Sequence, residues 1–315
     1  MSGKMFQTND MIQASKWSIA CARWRVIPDL PRFLLLCFWV AVAPIIASAQ
    51  DKPYFITYND QMEEPGNFEI ASNPVAGLPQ KAPNFQAMWT EFEYGVNGWW
   101  TTEFYLDGQR TAGQSTLFTG FRWENRFHVL AERHRINPVV YVEFEDINGA
   151  DKTLLEVVNH DSVDDLRAAN AEARREKQRE VEAKMIFSSI YKGWDISENF
   201  IAEKNLTNAP WEFGYAAGVS RALASVASSR ACSFCRENFR AGAEWYGGLG
   251  TWNAFGFSGT SQYFGPLLVW DLPAGTTLRF SPNVGLNKNS ARLLLRLGVS
   301  YEFPRFDRAL RRWLR

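Results

Sequence analysis

The feature that most constrains the fold is a strictly alternating run near the end of the chain. Between positions 291 and 303, every second residue from Leu293 to Phe303 is leucine, valine or aromatic. The positions between them, from Arg292 to Glu302, are mostly charged or small. A period of two places each set on its own face of a β-strand. A strand that is apolar along one whole face must bury that face in lipid or against another layer.

The same period of two recurs through most of the chain. The segments 88–96 and 100–106 alternate in this way on either side of Asn97-Gly98, a pair that favours a type I′ hairpin turn. The number of such segments predicts about twelve strands, and ten or fourteen stay open because two segments alternate poorly. The other predicted strands are 67–75, 115–126, 138–147, 181–192, 194–203, 211–222, 239–250, 262–272, 276–286 and 291–303.

The segment 291–303 resembles the closing strand of bacterial outer-membrane β-barrels, which usually ends in phenylalanine, as Phe303 does here. The resemblance implies an all-β fold, an antiparallel transmembrane β-barrel in the bacterial outer membrane. It also implies two partners, the lipid bilayer and the barrel-assembly machinery that reads this strand. Closure into a barrel pairs every backbone group of a sheet that lies in lipid.

The tail 304–315 departs from the family pattern, in which the closing strand usually ends the chain. Its residues are basic and amphipathic, with apolar side chains near one helical face. Two interpretations stay open: a helix whose basic face contacts anionic headgroups, or a short frayed terminus.

Connection lengths predict which end of the barrel faces the periplasm. If both chain ends are periplasmic, the turns at 97–98, 192–193 and 273–275 follow even-numbered strands and are short, as expected. The longest connection, about 148–180, then falls on the extracellular side. The periplasmic connections 127–137 and 223–238 are longer than this rule expects.

A charged, helix-favouring stretch, 161–184, dominates the longest connection. It lacks a wide apolar stripe, and its acidic residues precede its basic ones, which allows local ion pairs. Three interpretations stay open: a solvated, partly helical extracellular loop, a segment that folds into the pore and constricts it, or a coiled-coil partner site.

The beginning of the chain predicts export. An apolar run at 33–47 follows three arginines and precedes Ala47-Ser48-Ala49, the arrangement of a secretory signal peptide. A membrane anchor is the alternative, but the run is shorter than the roughly 20 residues of a span. We expect a cleaved signal peptide at 1–49, a mature N-terminal segment at 50–65 that could lie in the lumen, a barrel at 66–303 and the tail at 304–315.

Composition narrows the class of partner. The chain has 34 basic and 34 acidic side chains, which argues against nucleic acid because phosphate binding needs a basic face. Aromatic residues make up 15% of the chain, a content typical of proteins that lie at lipid–water boundaries.

The inward faces of the predicted strands carry many charges. The acids concentrate on strands two to five and the arginines on strands nine, eleven and twelve, so opposite charges would partly face each other across the lumen. A polar pore is one interpretation and a salt-bridged plug is the other. The lumen-lining candidates are Glu91, Glu93, Glu103, Arg122, Glu124, Glu143, Glu145, Arg240, Glu244, Arg279, Arg292 and Arg296.

Cysteines and histidines offer little catalytic chemistry. We expect Cys232 and Cys235 to form a local disulfide in an exported protein, ahead of a redox motif or a zinc site. The three histidines, His128, His134 and His160, do not lie on strand faces beside a serine at the membrane boundary, so we expect no enzyme, no cofactor and no metal.

Three functions are compatible with these sequence features. The first is a channel or transporter for small solutes through a charged lumen. The second is a structural or adhesive barrel with a plugged lumen. The third is a soluble periplasmic β-sandwich that binds glycans through its aromatic residues. The apolar outer face of 291–303 favours the first two.

Overall fold

The computed structural model describes residues 52–153, 166–207, 209–226, 232–257, 259–273 and 275–314, so the expected signal peptide lies outside the described residues. Twelve long strands form one antiparallel sheet, and a two-residue strand, β10, extends the hairpin after β9. The strands are β1 (Phe68–Leu78), β2 (Phe85–Asn97), β3 (Trp100–Thr111), β4 (Thr116–His128), β5 (Asn137–Asn148), β6 (Lys177–Tyr191), β7 (Trp194–Asn205), β8 (Trp211–Ala222), β9 (Phe239–Thr251), β10 (Ala254–Phe255), β11 (Gln262–Leu272), β12 (Thr276–Gly285) and β13 (Leu293–Phe303).

The sheet closes on itself. The first strand, β1, pairs with the last, β13, in a register that sets Phe68 opposite Phe303. On the far side β8 pairs with β9, and β9 pairs with β11, so the chain of pairings is unbroken around the barrel. Each of the twelve long strands therefore has a partner on both sides, which satisfies the backbone groups within a bilayer.

Burial alternates with the pleat, as the sequence predicts. On β13, Leu294 and Arg296 are fully buried and face inward, whereas Leu297 and Val299 are about half exposed on the outer face. The outer surface carries apolar residues such as Phe104 and Phe200 at heights where lipid would cover them. This is the architecture of an outer-membrane β-barrel, and the predicted fold class is confirmed.

Aromatic side chains cluster near both rims of the outer surface. At one rim, Trp99, Trp100 and Phe127 lie with ring centroids 6.0–6.4 Å apart. At the other rim, the Phe213 ring lies 6.1 Å from the Trp252 ring. Such girdles place amphipathic rings at the two membrane–water boundaries. Among the described residues, no helix has the length and apolar character needed to cross a membrane.

The two ends of the barrel differ, and we call them the termini end and the loop end. The beginning of β1 and the end of β13 lie at the termini end, together with the short turns 98–99, 192–193 and 273–275. Its longer connections are 129–136 and 223–238. The loop end carries the connections 79–84, 112–115, 149–176, 206–210, 252–261 and 286–292.

The turn between β2 and β3 differs from the prediction. The two connecting residues are Gly98 and Trp99, and neither Asn97 nor Gly98 has positive φ, so no type I′ turn forms at Asn97-Gly98. The Asn97 side chain instead accepts a hydrogen bond from the Trp99 N–H at 3.0 Å, and a register irregularity precedes it in β2. The side chain thus replaces the backbone turn that the sequence suggested. The turn after β6 does have positive φ, at both Lys192 and Gly193.

The strand predicted at 181–192 begins four residues earlier, at Lys177, within the charged stretch 161–184. The last part of this stretch belongs to β6, where Glu180, Glu182 and Lys184 alternate inward and are buried. The helix α1 covers only Asn170–Ala173. Local helix propensity is overridden because these charged side chains find partners in a polar lumen.

The tail forms a helix, α2 (Phe306–Trp313), at the termini end. Its Phe306 ring stacks on Phe68 at 4.8 Å, and the Asp307 N–H donates to the Gly66 carbonyl at 3.1 Å. These contacts fix the helix beside the seam between β1 and β13. Basic residues such as Arg311 and Arg312 lie in its last turn.

Candidate functional site: the barrel lumen

A piece of chain that belongs to no strand fills the lumen from the termini end. We call residues 52–65 the N-terminal segment. Tyr54, Phe55, Ile56 and Thr57 are at most 7% exposed, although they precede the barrel in sequence. A barrel of eight strands is filled by its own side chains, whereas twelve strands enclose more space. The segment occupies that additional space.

Glycine on the wall lets the segment enter. A Cβ at Gly95 would lie 2.1 Å from the Glu64 carbonyl oxygen, so the backbone passes where a side chain would otherwise stand. The Gly66 N–H donates to the Gly95 carbonyl at 2.8 Å, and the Asn67 N–H donates to the Glu64 carbonyl at 3.0 Å. These hydrogen bonds turn the chain from the lumen into β1.

The wall binds the segment largely through its backbone. The Glu244 carboxylate accepts hydrogen bonds from the N–H groups of Phe55, Ile56 and Thr57 at 3.1, 2.9 and 2.8 Å. The Asn199 amide accepts from the Tyr58 N–H at 2.6 Å and donates to the Tyr58 carbonyl at 2.8 Å. The hydrogen bonds to the Glu244 carboxylate are charge-assisted and therefore stronger than those to the neutral Asn199 amide.

A cluster of three carboxylates holds the Lys52 ammonium. Its Nζ lies 3.1 Å from Glu91, 3.1 Å from Glu93 and 2.6 Å from Glu103. Burial and the nearby Arg126 act to lower the pKa of Lys52, but the three carboxylates outweigh them and hold that pKa well above its ordinary value. Lys52 therefore stays charged throughout the neutral range.

Tyrosines connect this cluster to the next strands. The Tyr58 hydroxyl donates to Glu124 at 2.8 Å, and the Tyr105 hydroxyl donates to the same carboxylate at 2.6 Å. The Arg126 guanidinium lies 3.0 Å from Glu124 and also pairs with Glu103. Segment and wall thus share one buried polar network, in which each member restricts the others.

The wall also has shaped positions for the aromatic side chains of the segment. The Tyr54 hydroxyl donates to Asp195 at 2.8 Å. A Cβ at Gly218 would lie 2.6 Å from the Tyr54 ring, so the missing side chain makes room for that ring. The Arg279 guanidinium lies 5.3 Å from the centre of the Phe55 ring. A cavity of about 20 Å³ lies between segment and wall, room for about one water molecule.

The described parts of the long connection 149–176 enter the lumen from the loop end. Lys152 is buried, and its Nζ donates to the Thr111 hydroxyl at 3.0 Å. Arg296 donates to the Thr153 carbonyl at 3.3 Å, and Gln109 donates to Asn170 at 2.8 Å. Asn170 belongs to the charged stretch 161–184, for which inward folding stays a prediction. Residues 154–165 lie outside the described residues.

Most lumen-lining candidates lie where the sequence places them. Glu91, Glu93, Glu103, Arg122, Glu124, Glu143, Glu145, Glu244, Arg279 and Arg296 have buried side chains on the inner face. Arg240 is half-buried at the termini end, where it donates to Ser220 at 3.4 Å. The position of Arg292 differs from the prediction. Arg292 precedes β13 in the connection 286–292, because the strand begins one residue later, and its side chain is exposed.

Several further charges line the inner face, although they are not among the candidates, and strand parity alone would identify them. Arg126, for example, shares the face of Arg122 and Glu124. With these residues, the buried charges on the described strands are mostly acidic. The fourteen acids are Glu69, Glu91, Glu93, Glu103, Asp107, Glu124, Glu143, Glu145, Glu180, Glu182, Asp195, Glu203, Glu244 and Glu302, and the five basic residues are Arg122, Arg126, Lys184, Arg279 and Arg296.

The carboxylates of Glu69, Glu91 and Glu93 offer oxygens within 4.8 Å of one another, which is a spacing that a metal ion could use. The Lys52 ammonium already contacts two of the three. At this position the carboxylates of Glu91 and Glu93 therefore bind the Lys52 ammonium as their cation.

The two cysteines and two histidines that the structure describes lie at the termini end. Cys232 and Cys235 are joined as a disulfide in the connection 223–238. The Trp270 indole donates to the Ser233 carbonyl between them at 2.7 Å. The His128 ring nitrogen lies 2.6 Å from the carbonyl oxygen of Asp60, so it contacts the N-terminal segment. His160 lies outside the described residues.

Comparisons with known proteins identify similar solved structures. No protein-family model matches the chain, and no curated protein matches it. An outer-membrane channel from Pseudomonas putida aligns over 77% of this chain and 97% of that chain, with 8% identity and a TM-score of 0.48. The KdgM porin, solved in complex with disordered oligogalacturonate, aligns over 75% and 99%, with 5% identity and a TM-score of 0.46. LpxR from Salmonella typhimurium aligns over 74% and 99%, with 9% identity and a TM-score of 0.40.

Proposed function

We propose that this protein is an outer-membrane channel for small solutes, and that the N-terminal segment closes its lumen in the state described. The observation that carries the proposal is the polar inner wall. Its charged side chains continue from Glu302 near the termini end to Asp107 towards the loop end, on most strands. A wall of this kind is suited to water and polar solutes once space is available.

The segment is suited to leave the lumen. It adds no strand to the sheet, and the barrel closes without it. Besides the apolar packing of Tyr54, Phe55 and Ile56, it contacts the wall through hydrogen bonds and ion pairs to side chains that water can solvate when the segment withdraws. Its covalent connection is at Gly66, beside the exposed residues Glu64 and Pro65. Withdrawal would therefore empty the part of the lumen that the segment occupies without breaking any strand pairing.

A structural barrel with a permanently filled lumen is the second candidate. The observation that favours it is the burial of large inner side chains such as Arg122, Arg126 and Tyr141. Both candidates predict a closed resting state. They differ in what happens when the segment is removed, because only a channel conducts.

Conductance in planar bilayers tests the proposal. The mature chain, residues 50–315, should open rarely, whereas a variant lacking 50–60 should conduct continuously. A variant lacking the equally long tail piece 305–315 is the matched control, because it loses residues at the same end but outside the lumen. Heat-modifiable gel migration verifies folding of each variant. A folded variant without 50–60 that stays silent would refute the channel and favour the structural barrel.

The remaining expectations belong to the same proposal. We propose that 1–49 is removed on export, and that the barrel-assembly machinery recognises 291–303, where the outer face of β13 ends at Phe303. We also propose that the barrel has no catalytic activity.

A further inference from the structure

We infer that the lumen contains a binding site for a cationic peptide, and that residues 52–58 occupy this site as a tethered ligand. The inference goes beyond conduction, since a lumen that binds peptide need not conduct ions. It rests on how the wall contacts the segment: side chains from three strands that are not neighbours converge on consecutive peptide groups.

The central contact is the Glu244 carboxylate. Three successive N–H groups, of Phe55, Ile56 and Thr57, point at it. In an extended strand successive N–H groups point in opposite directions, so the chain must bend here. Successive N–H groups that curve around an anion form a concave nest, a common anion-binding arrangement. Here the peptide supplies the nest and the wall supplies the anion.

Contacts on either side of the nest extend the site. Arg279 donates to the carbonyls of Lys52 and Tyr54, both at 3.0 Å. Asn199 pairs with both the N–H and the carbonyl of Tyr58. Side chains of the wall therefore form hydrogen bonds to main-chain groups between positions 52 and 58. Main-chain contacts do not depend on side-chain identity, so the site can accept other peptides of similar shape.

Two side-chain positions add selectivity. The first is the ammonium position beside Glu91, Glu93 and Glu103, where Lys52 sits and which favours a basic residue. The second is the slot at Gly218, two residues further along the peptide, which accepts an aromatic ring. The ligand class is therefore a short peptide with a basic residue followed, two positions later, by an aromatic one.

Tethering explains why the site is filled. A short flexible connection gives a tethered ligand a local concentration of the order of millimolar, so it excludes a free peptide of equal affinity unless that peptide is very concentrated. Severing the connection at the exposed residues Glu64 and Pro65 removes this advantage and leaves residues 52–58 and the wall side chains that bind them unchanged.

The test uses the folded mature chain with a protease recognition sequence inserted between Glu64 and Pro65. After cleavage, the released segment is followed by size exclusion, and rebinding of a fluorescent peptide of residues 52–58 is followed by anisotropy. We expect one peptide to bind per emptied barrel, and no binding to the uncleaved chain at the same concentration. Glu244→Gln should speed release of the cleaved segment and weaken rebinding at least tenfold. Glu198→Gln, on the exposed face of the same strand as Asn199, is the matched control and should change neither.

A second measurement keeps the test decisive if a variant folds poorly. A peptide that is N-methylated at Ile56 keeps every side chain but loses one N–H donor to Glu244, and it should bind the unmodified cleaved barrel at least tenfold more weakly than the parent peptide. Equal binding of the two peptides, or equal release from Glu244→Gln and the parent, would overturn the inference. Conductance is read separately, so a peptide that binds a silent barrel would refute the channel and leave the peptide site standing.

Discussion

Replacing Lys52 with methionine tests whether the segment is held by charge. Methionine has a similar length and keeps much of the apolar contact, but it removes the only ammonium that the segment inserts among Glu91, Glu93 and Glu103. The carboxylates would then be buried without that partner whenever the segment is in place. When the segment withdraws, water can solvate them. The substitution therefore raises the free energy of the closed state and leaves the open state nearly unchanged.

The structure gives a magnitude for this change. The side chains of this ion-pair cluster are at most 12% exposed, so solvent screening is weak. Removing one partner of a buried ion pair costs about 3–5 kcal/mol. The lower end applies, because Arg126 still pairs with Glu93 and Glu103. A change of about 3 kcal/mol shifts the ratio of open to closed states by roughly 100-fold.

Single-channel recording in planar bilayers measures that ratio as open probability. We expect Lys52→Met to approach the behaviour of the chain that lacks 50–60. Lys177→Met is the matched control, because Lys177 is exposed at the loop-end start of β6. The reasoning fails if Lys52→Met stays as closed as the parent while the deletion variant conducts.

Four further outcomes are expected. Gly218→Val should displace the Tyr54 ring, since even a Cβ there would lie 2.6 Å from it, and should raise open probability at least tenfold, whereas Gly98→Ala, whose Cβ meets open space, should not. Cys232→Ala combined with Cys235→Ala should increase proteolysis of the connection 223–238 but leave heat-modifiable migration unchanged, because the disulfide closes only a local loop. The contribution of Lys52 to the closed state should be constant between pH 7 and about 9.5, so open probability should not change over this range on account of Lys52. Since the pKa of Lys52 is raised in the folded state, its stabilising contribution is complete below the ordinary lysine value of 10.5 and is lost as pH rises through the folded value, so conductance should increase only above that range. The chain lacking 50–60 should prefer potassium to chloride in reversal-potential measurements, because the emptied wall has a surplus of carboxylates; equal permeability would contradict this.

The strands are predicted well from sequence because every strand of a membrane barrel has the same two environments, lipid on one face and the lumen on the other. Each must be apolar outside and polar inside, so the period of two is visible without knowledge of the partners. The same reasoning was weakest at strand ends. Arg292 fits the inner parity of β13 but precedes the strand, and its side chain is exposed. One residue of error at a boundary is enough to change the environment of a charge.

The stretch 177–180 shows the opposite failure, because the strand predicted from position 181 begins at Lys177. Its run of glutamate, arginine and lysine has high helix propensity, and the spacing of its charges favours local ion pairs on a helix. In the structure Glu182 and Lys184 face inward and pair at 2.7 Å, two residues apart on one face of a strand. Propensity is a local quantity, whereas the value of a charge depends on the lumen, which forms only when all strands are present.

The N-terminal segment could be only partly predicted, for a related reason. Its length before the barrel allowed the lumen as a location, but residues 52–58 have no period that indicates it. Their position depends on contacts with Glu244, Asn199 and Arg279, which follow them by roughly 140 to 230 residues in sequence. Parity assigns these three side chains to the inner face, but it cannot tell that they converge on one piece of backbone.

The charge of the wall connects the closed and the open states. Among the buried residues of the described strands, carboxylates outnumber basic groups, so an empty lumen would hold like charges close together. A cation stabilises such a wall, and in the closed state this cation is the Lys52 ammonium of the segment. The wall still requires a cation after the segment leaves, and then only solvent cations or a basic solute can supply it. Closure by a lysine and preference for cations are thus two consequences of one excess of carboxylates.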